Sequence, residues 1–482
     1  MHVFGQIGWY EEATPDFVVF FVMRNFHDDM TDIAIIGGGL SGTLVAYYML
    51  LADRYAQTIY VFEKEPLQLA RGIAYRDSNE NHLLNVPAAA MNLYNLPSGD
   101  FYQWLQKNTS TNYSPTDFVP RNLFGSYLKE LFERQLAKAK QVKVKVIAEE
   151  VIDIVKEEDK LSVSTRSGHS YGVAKVVLAN GILPPADPFT LSADVLKSGH
   201  YQSNPWNFRY LNQIKANQHI TLIGSGLTML DHAVELLNDK GNFSVTAFSR
   251  RGFLPLPHDA YEPYDFPEYS IVPGDDIGLL LRNIRAYYKK HKDKGLDWRD
   301  LIDRIRNEVP QLWRALSNES KKRFIRHLKP YWEIHRHRAP QRALDVINKA
   351  GREGRFKLLK GSIRKTEMKG RQLVIHLGGT QGTSTITTDY LLNSSGLQHD
   401  ISLTSDPLLK KLLERQYMIP DQTRLGIETD ESGALTCNSG RKNIFALGAL
   451  RRASVFECTA AKEISQQAYL LSEQLIRSET NP

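Results

Sequence analysis

Two glycine-rich runs carry the most legible chemistry in the chain. In the first, Gly37-Gly38-Gly39-Leu40-Ser41-Gly42 follows the apolar run "DIAIIG" and opens an apolar helical pattern. The run fits G-x-G-x-x-G in register. The spacing predicts three roles: Gly37 permits a tight turn, Gly39 lets the backbone approach a pyrophosphate, and Gly42 lets the helix pack close on the strand. The helix N-terminus would then face the phosphates. A second apolar run, "TIYVFEK", carries Glu63, 21 residues after Gly42. A carboxylate at that place accepts hydrogen bonds from a ribose diol.

The arrangement recurs. "HITLIGSGLTMLDHAVELL" (219–237) sets Gly224-Ser225-Gly226 between an apolar strand and an amphipathic helix, with Met229 at the third glycine position. The next strand, "FSVTAFSRR", ends in Ser249-Arg250-Arg251 instead of an acid. An acid there would repel a 2′-phosphate, whereas arginine pairs with one in bidentate fashion. The ending favours NADPH over NADH, with a solvated surface pair as the alternative. Two such units on one chain suggest two dinucleotides, FAD and NAD(P)H.

The elements that must position these residues are those of a multidomain α/β protein. At 482 residues the chain exceeds one ordinary core. Its 42% hydrophobic and 24% charged residues are a globular composition, and a formal charge of +6 without a long basic block does not argue for nucleic acid. Cys437 and Cys458 form no CxxC pair, which disfavours a disulfide scaffold, a thiolate metal site and a dithiol centre, and points to the cytoplasm. No metal site is expected. "FVVFFVM" (17–23) is too short to span a membrane and lacks a basic lead, so neither a membrane segment nor a signal peptide is expected. Residues 1–30 are set apart as an extension.

Two strand-to-turn segments, "KVVLANGILPPADP" with Gly181 and "DYLLNSSGL", flank the second unit. Late in the chain "KNIFALGAL" reaches Gly448 and is followed by a helical run. Together they predict two Rossmann-like domains, the second inserted in the first. The FAD-binding domain covers 31–190 and 390–482, and the NAD(P)-binding domain 200–389. Apolar residues at three- and four-residue spacing predict a helical cap inserted at about 276–350.

With these residues in view, the chain from 31 to 482 resembles a bacterial family of FAD/NAD(P)-binding proteins, two-Rossmann flavoproteins related to flavin-dependent monooxygenases. The resemblance is carried by "IIGGGLSGT", "RGIAYRDSNENHLLNVPAAAMN", "FVPRNLFGSYL", "LIGSGLTMLD", "FSRRGFLPLPH", "PYWEIHRHRAP" and "IFALGALRR". It implies an FAD set of Gly37, Gly39, Leu40, Ser41, Gly42, Glu63, Lys64, Asn85, Val86, Arg121, Val151, Gly181 and Gly448. For NADPH it implies Gly224, Gly226, Leu227, Thr228, Ser249, Arg250 and Arg251. Flavoproteins of this group place an acid after the late glycine; this chain has Ala449, which puts the ribityl contact in doubt. His200, with Trp206, loosely resembles a monooxygenase fingerprint and is the candidate catalytic residue. In "HRHRAP", His335, Arg336 and Arg338 are read as a substrate or anion site, against a solvated charge run.

The implied activity is NAD(P)H-dependent hydroxylation of a small organic substrate with O2, through a flavin C4a-hydroperoxide. Three rivals stay open: a flavin reductase serving another acceptor, a flavin oxidase, which would not need the second dinucleotide unit, and a non-catalytic FAD-binding or redox-sensing protein. Substrate identity and oligomeric state are not legible.

Overall fold

A computed structural model describes residues 32–477, apart from 55–56, 77–78, 184–186, 188, 380–381 and 437–442. The extension 1–30, with its apolar run, and Cys437 lie outside the described residues.

The run IAII forms β1 (Ile33–Ile36), buried along its length, and the glycines turn the chain into α1 (Leu40–Ala52). β2 (Gln57–Phe62) returns parallel to β1. After α2 (Asp100–Asn108) and α3 (Arg121–Leu136), β3 (Val142–Ile147) adds to β2. This outer strand exposes Lys143 and Lys145, charges that discourage pairing with another chain. An antiparallel meander of β4 (Val151–Lys156), β5 (Leu161–Thr165) and β6 (Ser170–Val173) then leads to β7 (Lys175–Leu178), on the other side of β1.

The second unit repeats this plan. α4 (Ala193–Lys197) and the short β8 (Tyr201–Gln202) lead to β9 (His219–Ile223), α5 (Leu227–Asn238) and β10 (Ser244–Ser249). A helical insertion follows: α6 (Ile277–His291), α7 (Trp298–Ala315), α8 (Asn318–Arg323), a π-helical turn Phe324–Leu328, and α9 (Lys329–Arg336). Then come α10 (Gln341–Arg352), β11 (Phe356–Lys360), a second meander of β12 (Ser362–Lys369), β13 (Gln372–Gly379) and β14 (Gly382–Thr388), and β15 (Tyr390–Asn393). The chain closes with α11 (Pro407–Glu414), β16 (Ile444–Ala446), α12 (Arg452–Val455) and α13 (Ala461–Arg477).

Two five-stranded parallel sheets result, ordered β16-β7-β1-β2-β3 and β11-β10-β9-β15-β8. Each has its glycine-led strand in the centre, and a three-stranded meander precedes β7 in the first and β15 in the second. β1, β7 and β16 carry near-continuous apolar runs, as expected for parallel strands covered on both faces. One core joins α1, α3 and α13 through Leu44, Leu128 and Leu475, and a separate core joins α5 and α10 through Leu230, Leu237 and Ile347.

Two expected boundaries move. Tyr390–Asn393 pairs with β9, so the second sheet extends past 390 and the first domain resumes only after this strand. The cap ends near residue 336, because α10 is a crossover helix packed on α5 rather than part of the insertion. The insertion packs on the first domain: Leu301, Leu312 and Trp313 share a core with Leu425, Ala453 and Phe456.

Candidate dinucleotide sites and the seam between them

In an open parallel sheet, ligands bind at the carboxyl ends of the strands. In the first sheet these ends carry Gly37, Glu63, Ile147, Gly181 and Gly448. Gly37 has φ 103°, and a Cβ there would meet the Ala179 carbonyl oxygen at 2.4 Å. A Cβ on Gly42 would lie 2.0 Å from the Gly37 oxygen, so this glycine sets the helix-to-strand approach. Gly39 faces Gly72, and Gly448 lies against Ser41; side chains on them would meet Gly72 Cα at 3.0 Å and Ser41 Oγ at 3.3 Å. The start of α1 is thus ringed by backbone without side chains.

No side chain caps α1, and no acid stands in its first turn; α5, begun by Gly226, is the same. By contrast Asp276, Asp297, Ser317 and Asp406 cap α6, α7, α8 and α11. The free N–H groups of both glycine-led helices suit an anion.

Glu63 is buried beside this turn. Its Oε2 accepts from Gly38 N and its Oε1 from Glu65 N, both at 3.0 Å. Burial raises its pKa against those two hydrogen bonds. Lys64 points to solvent and meets Glu150 at 3.4 Å. Val151 is buried at the start of β4, close to the end of β3, and Leu40 and Ser41 form the first turn of α1. The loop 82–89 lies along 115–121: Leu84 N donates to Val119 O, and Ala88 N to Asp117 O. That brings Asn85 and Val86 beside the start of α3.

Arg121 differs from expectation. Its guanidinium spans the domains to Asp231 on α5, with Nη1 to Oδ2 at 2.9 Å, and its Nε donates to Leu83 O. Its charge is engaged by the second domain, not held free for a phosphate. Asn85, Arg121 and Leu227 nonetheless line one cleft between the two domains.

On the second edge, Gly224 has φ 108° and approaches the Ser394 carbonyl, where a Cβ would sit at 2.3 Å. Gly226, followed by Leu227 and Thr228, would meet nothing within 4 Å if given a Cβ. Met229 is fully buried, filling the place of the third glycine. Ser249 is a brace: its hydroxyl accepts from Ser225 Oγ at 2.8 Å and from Gly252 N at 2.9 Å. It fixes the turn that presents the exposed Arg250 and Arg251.

His200 lies at the wrong end of this sheet. Its Nδ1 bonds the Asp389 carbonyl at 2.7 Å and its carbonyl accepts from Leu391 N. Both partners flank the start of β15, and the four residues of that strand separate His200 from the carboxyl edge, a span of about 13 Å. The catalytic reading of His200 is therefore corrected.

The anion reading of the HRHR run is corrected as well. Arg336 is buried and pairs with Glu457 at 3.3 Å and Glu463 at 3.6 Å. Arg338 meets both oxygens of Asp303 at 2.6 Å. His335 bonds the Tyr331 carbonyl, one turn back on α9, and sits edge-on to Trp298. These are structural pairs.

A different set from the same helix faces the seam where the two carboxyl edges meet. Arg452, the first residue of α12, donates to Glu333 Oε1 at 3.0 Å and lies 3.4 Å from His399 Nε2, on the loop after β15. Glu333 Oε2 lies 3.0 Å from His337 Nε2. Burial would raise the Glu333 pKa, but His337, Arg452 and Lys329 outweigh it and hold the group well below the carboxylate range. Lys329, one turn before Glu333, completes the set. Sequence reasoning missed these residues, although Lys329 and Glu333 at i, i+4 were a visible signal.

The two sheets and their glycine-led edges define the fold of flavoenzymes with two dinucleotide-binding domains. Residues 34–183 match a family model described as FAD-NAD(P)-binding. Among solved structures, the fold is similar to the ornithine N-hydroxylase of Kutzneria sp. 744, solved with reduced FAD, NADP+ and L-orn. The TM-score is 0.65 at 12% identity, over 94% of this chain and 100% of that one. L-lysine 6-monooxygenase from Pseudomonas syringae gives 0.62 at 16% identity, over 93% and 99%. The FAD-bound cadaverine monooxygenase of Erwinia amylovora gives 0.61 at 13%, over 94% and 96%. A curated relative, the uncharacterized protein YdhS of Escherichia coli K12, is 23% identical over 343 residues, 61% of this chain, and the chain spans 61% of that relative's length. Among the described residues no helix is long and apolar enough to cross a membrane.

Proposed function

We propose that this protein is an NAD(P)H-dependent FAD enzyme, and that it hydroxylates a small organic substrate with O2. One observation carries the reading: two glycine-led sheet edges, each with an uncapped helix start, meet at the seam of Arg452, Glu333 and His399. Hydride transfer between two dinucleotides needs their reactive rings to meet where two such edges meet.

The cradle fits FAD on the first edge. Gly37 and Gly42 let the turn close tightly on backbone, Gly39 and Gly448 keep the face of the α1 start free of side chains, and Glu63 stands at the end of β2 for a ribose. Gly224, Gly226, Arg250 and Arg251 would hold NADPH on the second. Bound there, FAD would supply hydride acceptance and reaction with oxygen. The chain's own part is to orient and to exclude water. Arg336 with Glu457, and Arg306 with Glu463, fix the cap on the first domain, while Trp313 Nε1 donates to Ala453 O at 2.7 Å. The cap so held shields Arg452, at 9% exposure, while Glu333 and His337 keep 31% and 28% open to solvent.

The test is an anaerobic NADPH titration of the FAD-loaded protein, followed by oxygen with ornithine, lysine or cadaverine present. Flavin bleaching by NADPH, then substrate-stimulated oxygen uptake with a hydroxylated product, is the expected result. Bleaching without product with any substrate supports the reductase reading instead. A protein that takes up no FAD overturns both.

A further inference from the structure

Lys329 opens α9 directly after the π-helical turn Phe324–Leu328. Such turns are rare and recur at functional sites. Its neighbour one turn on is Glu333, but that carboxylate is already engaged through Oε1 by Arg452 and through Oε2 by His337. The other seam acids are engaged too. Glu457 accepts from Trp332 Nε1 at 2.7 Å and faces Arg336, and Glu463 takes Arg306 and Arg336. Among the described residues, no carboxylate lies within ion-pair distance of the Lys329 ammonium.

The surroundings add positive charge. Arg452 approaches Lys329 from the first domain and Arg250 from the end of β10, while the nearby acid, Glu333, is already taken by Arg452 and His337. Burial, then these two guanidiniums, lower Lys329 to about 8. His399 contributes no charge: burial first, then Arg452 and Lys329, push it down to about 2. A partly buried cation short of a counter-ion is a receptor for an anion.

The backbone opposite is bent as well. Phe456 has φ 55° and ψ −61°, and Glu457 N donates to Val455 O at 2.7 Å, which is a γ-turn of the rare, strained hand. Trp313 stacks on Phe456 at 4.5 Å and holds it there. Strained backbone persists only where packing over-determines it, and it clusters at ligand clamps. This turn fixes Arg452, whose guanidinium lies over the Phe456 ring at 5.1 Å.

We propose that Lys329, backed by Arg452 and His399, forms an oxyanion-binding subsite in the seam between the two dinucleotide edges, taking a carboxylate or phosphate group. For its purpose the subsite rests on the flavoenzyme reading, while its binding test does not. Two sources offer this chemistry: an acidic group on the substrate, or a phosphate of the nicotinamide dinucleotide.

The experiment is reductive ¹³C-methylation of the protein as purified, with the Lys329 resonance identified by its loss in Lys329→Arg. Its titration midpoint is followed with malonate, inorganic phosphate or NADP+ added. A bound oxyanion favours the charged amine, so the midpoint should rise by about one unit or more, a tenfold effect. A rise with malonate or phosphate under saturating NADP+ assigns the site to a substrate group. A rise with NADP+ alone assigns it to the dinucleotide. Lys329→Met should weaken binding of the active probe at least about tenfold, with Lys329→Arg restoring most of it. A midpoint unmoved by all three probes overturns the proposal. Failure of FAD uptake would sink the flavoenzyme reading and leave this titration readable.

Discussion

Arg121, at the start of α3 in the first domain, grips Asp231 on α5 of the second, with Nη1 2.9 Å from Oδ2 and Nη2 3.2 Å from Oδ1. Both side chains are largely shielded, at 16% and 17% exposure. Asn79 and Asn81 donate to Glu235 one turn further along α5, at 2.6 and 3.1 Å. Along α5 the interdomain contact is therefore polar, and its central element is a fork of two hydrogen bonds.

Removing one partner of this fork should loosen the seam. Arg121→Ala leaves a partly buried carboxylate without its cation, a cost of about 1–3 kcal/mol. A double-mutant cycle with Asp231→Ala should return a coupling of at least about 0.5 kcal/mol. Chemical unfolding measures it. Additive single-mutant effects would show that the pair does not hold the domains.

Gly226 separates ligand approach from fold. A Cβ there meets nothing within 4 Å and the residue has φ −89°, so Gly226→Ala should leave the melting temperature unchanged. A dinucleotide pyrophosphate drawn onto the start of α5 would meet that methyl, and NADP+ affinity should fall at least about tenfold, which is about 1.4 kcal/mol. Calorimetric titration reads it. Gly42→Ala is the opposite case: its Cβ at 2.0 Å from the Gly37 oxygen should destabilise the fold itself.

Which features were readable in the sequence follows from their range. Gly37, Gly39 and Gly42 act within one strand-turn-helix unit, so their spacing alone predicts the turn, and the period of the apolar runs gives the parallel strands. Glu63 follows because one helix and one strand fix its distance from the turn. Arg121 and the HRHR run lie in motif-bearing segments, but their partners, Asp231, Glu457, Glu463 and Asp303, are distant in the chain. An ion pair such as Arg336–Glu457 joins residues 121 positions apart, and nothing local announces it. His200 failed for another reason: a short edge strand does not reveal which of its ends faces the ligand. The seam of Lys329, Glu333, His399 and Arg452 draws on three segments, so it appears only once both sheets are folded.

Arg250 and Arg251 stand exposed past the end of β10 on a turn braced by Ser249. Pairing of either with a 2′-phosphate would contribute about 1.5–3 kcal/mol, as hydrogen bonds to charged groups do. In Arg250→Ala with Arg251→Ala, the ratio of NADPH to NADH kcat/KM should fall by about tenfold or more, through NADPH alone. An unchanged ratio would make the two arginines solvated surface.

Acid should weaken the domain seam through His232. This side chain on α5 is 1% exposed, bonds the Tyr210 hydroxyl at 2.8 Å through Nδ1 and stacks on Phe208. Burial first, then the neighbouring His82, push it down to about 3. An unfolded histidine titrates near about 6.5, so between these values the unfolded chain binds the extra proton. Stability is then fully present above about pH 6.5 and falls as pH drops toward 3, by up to about 1.4 kcal/mol per unit from this residue. His232→Gln keeps a hydrogen-bonding partner for Tyr210 without the titration. Urea unfolding between pH 7 and about 4.5 should give a shallower acid slope for the variant, although it is the less stable protein at pH 7. Identical slopes would mean that His232 takes up its proton in the folded state, which its burial against Phe208 and Tyr210 opposes.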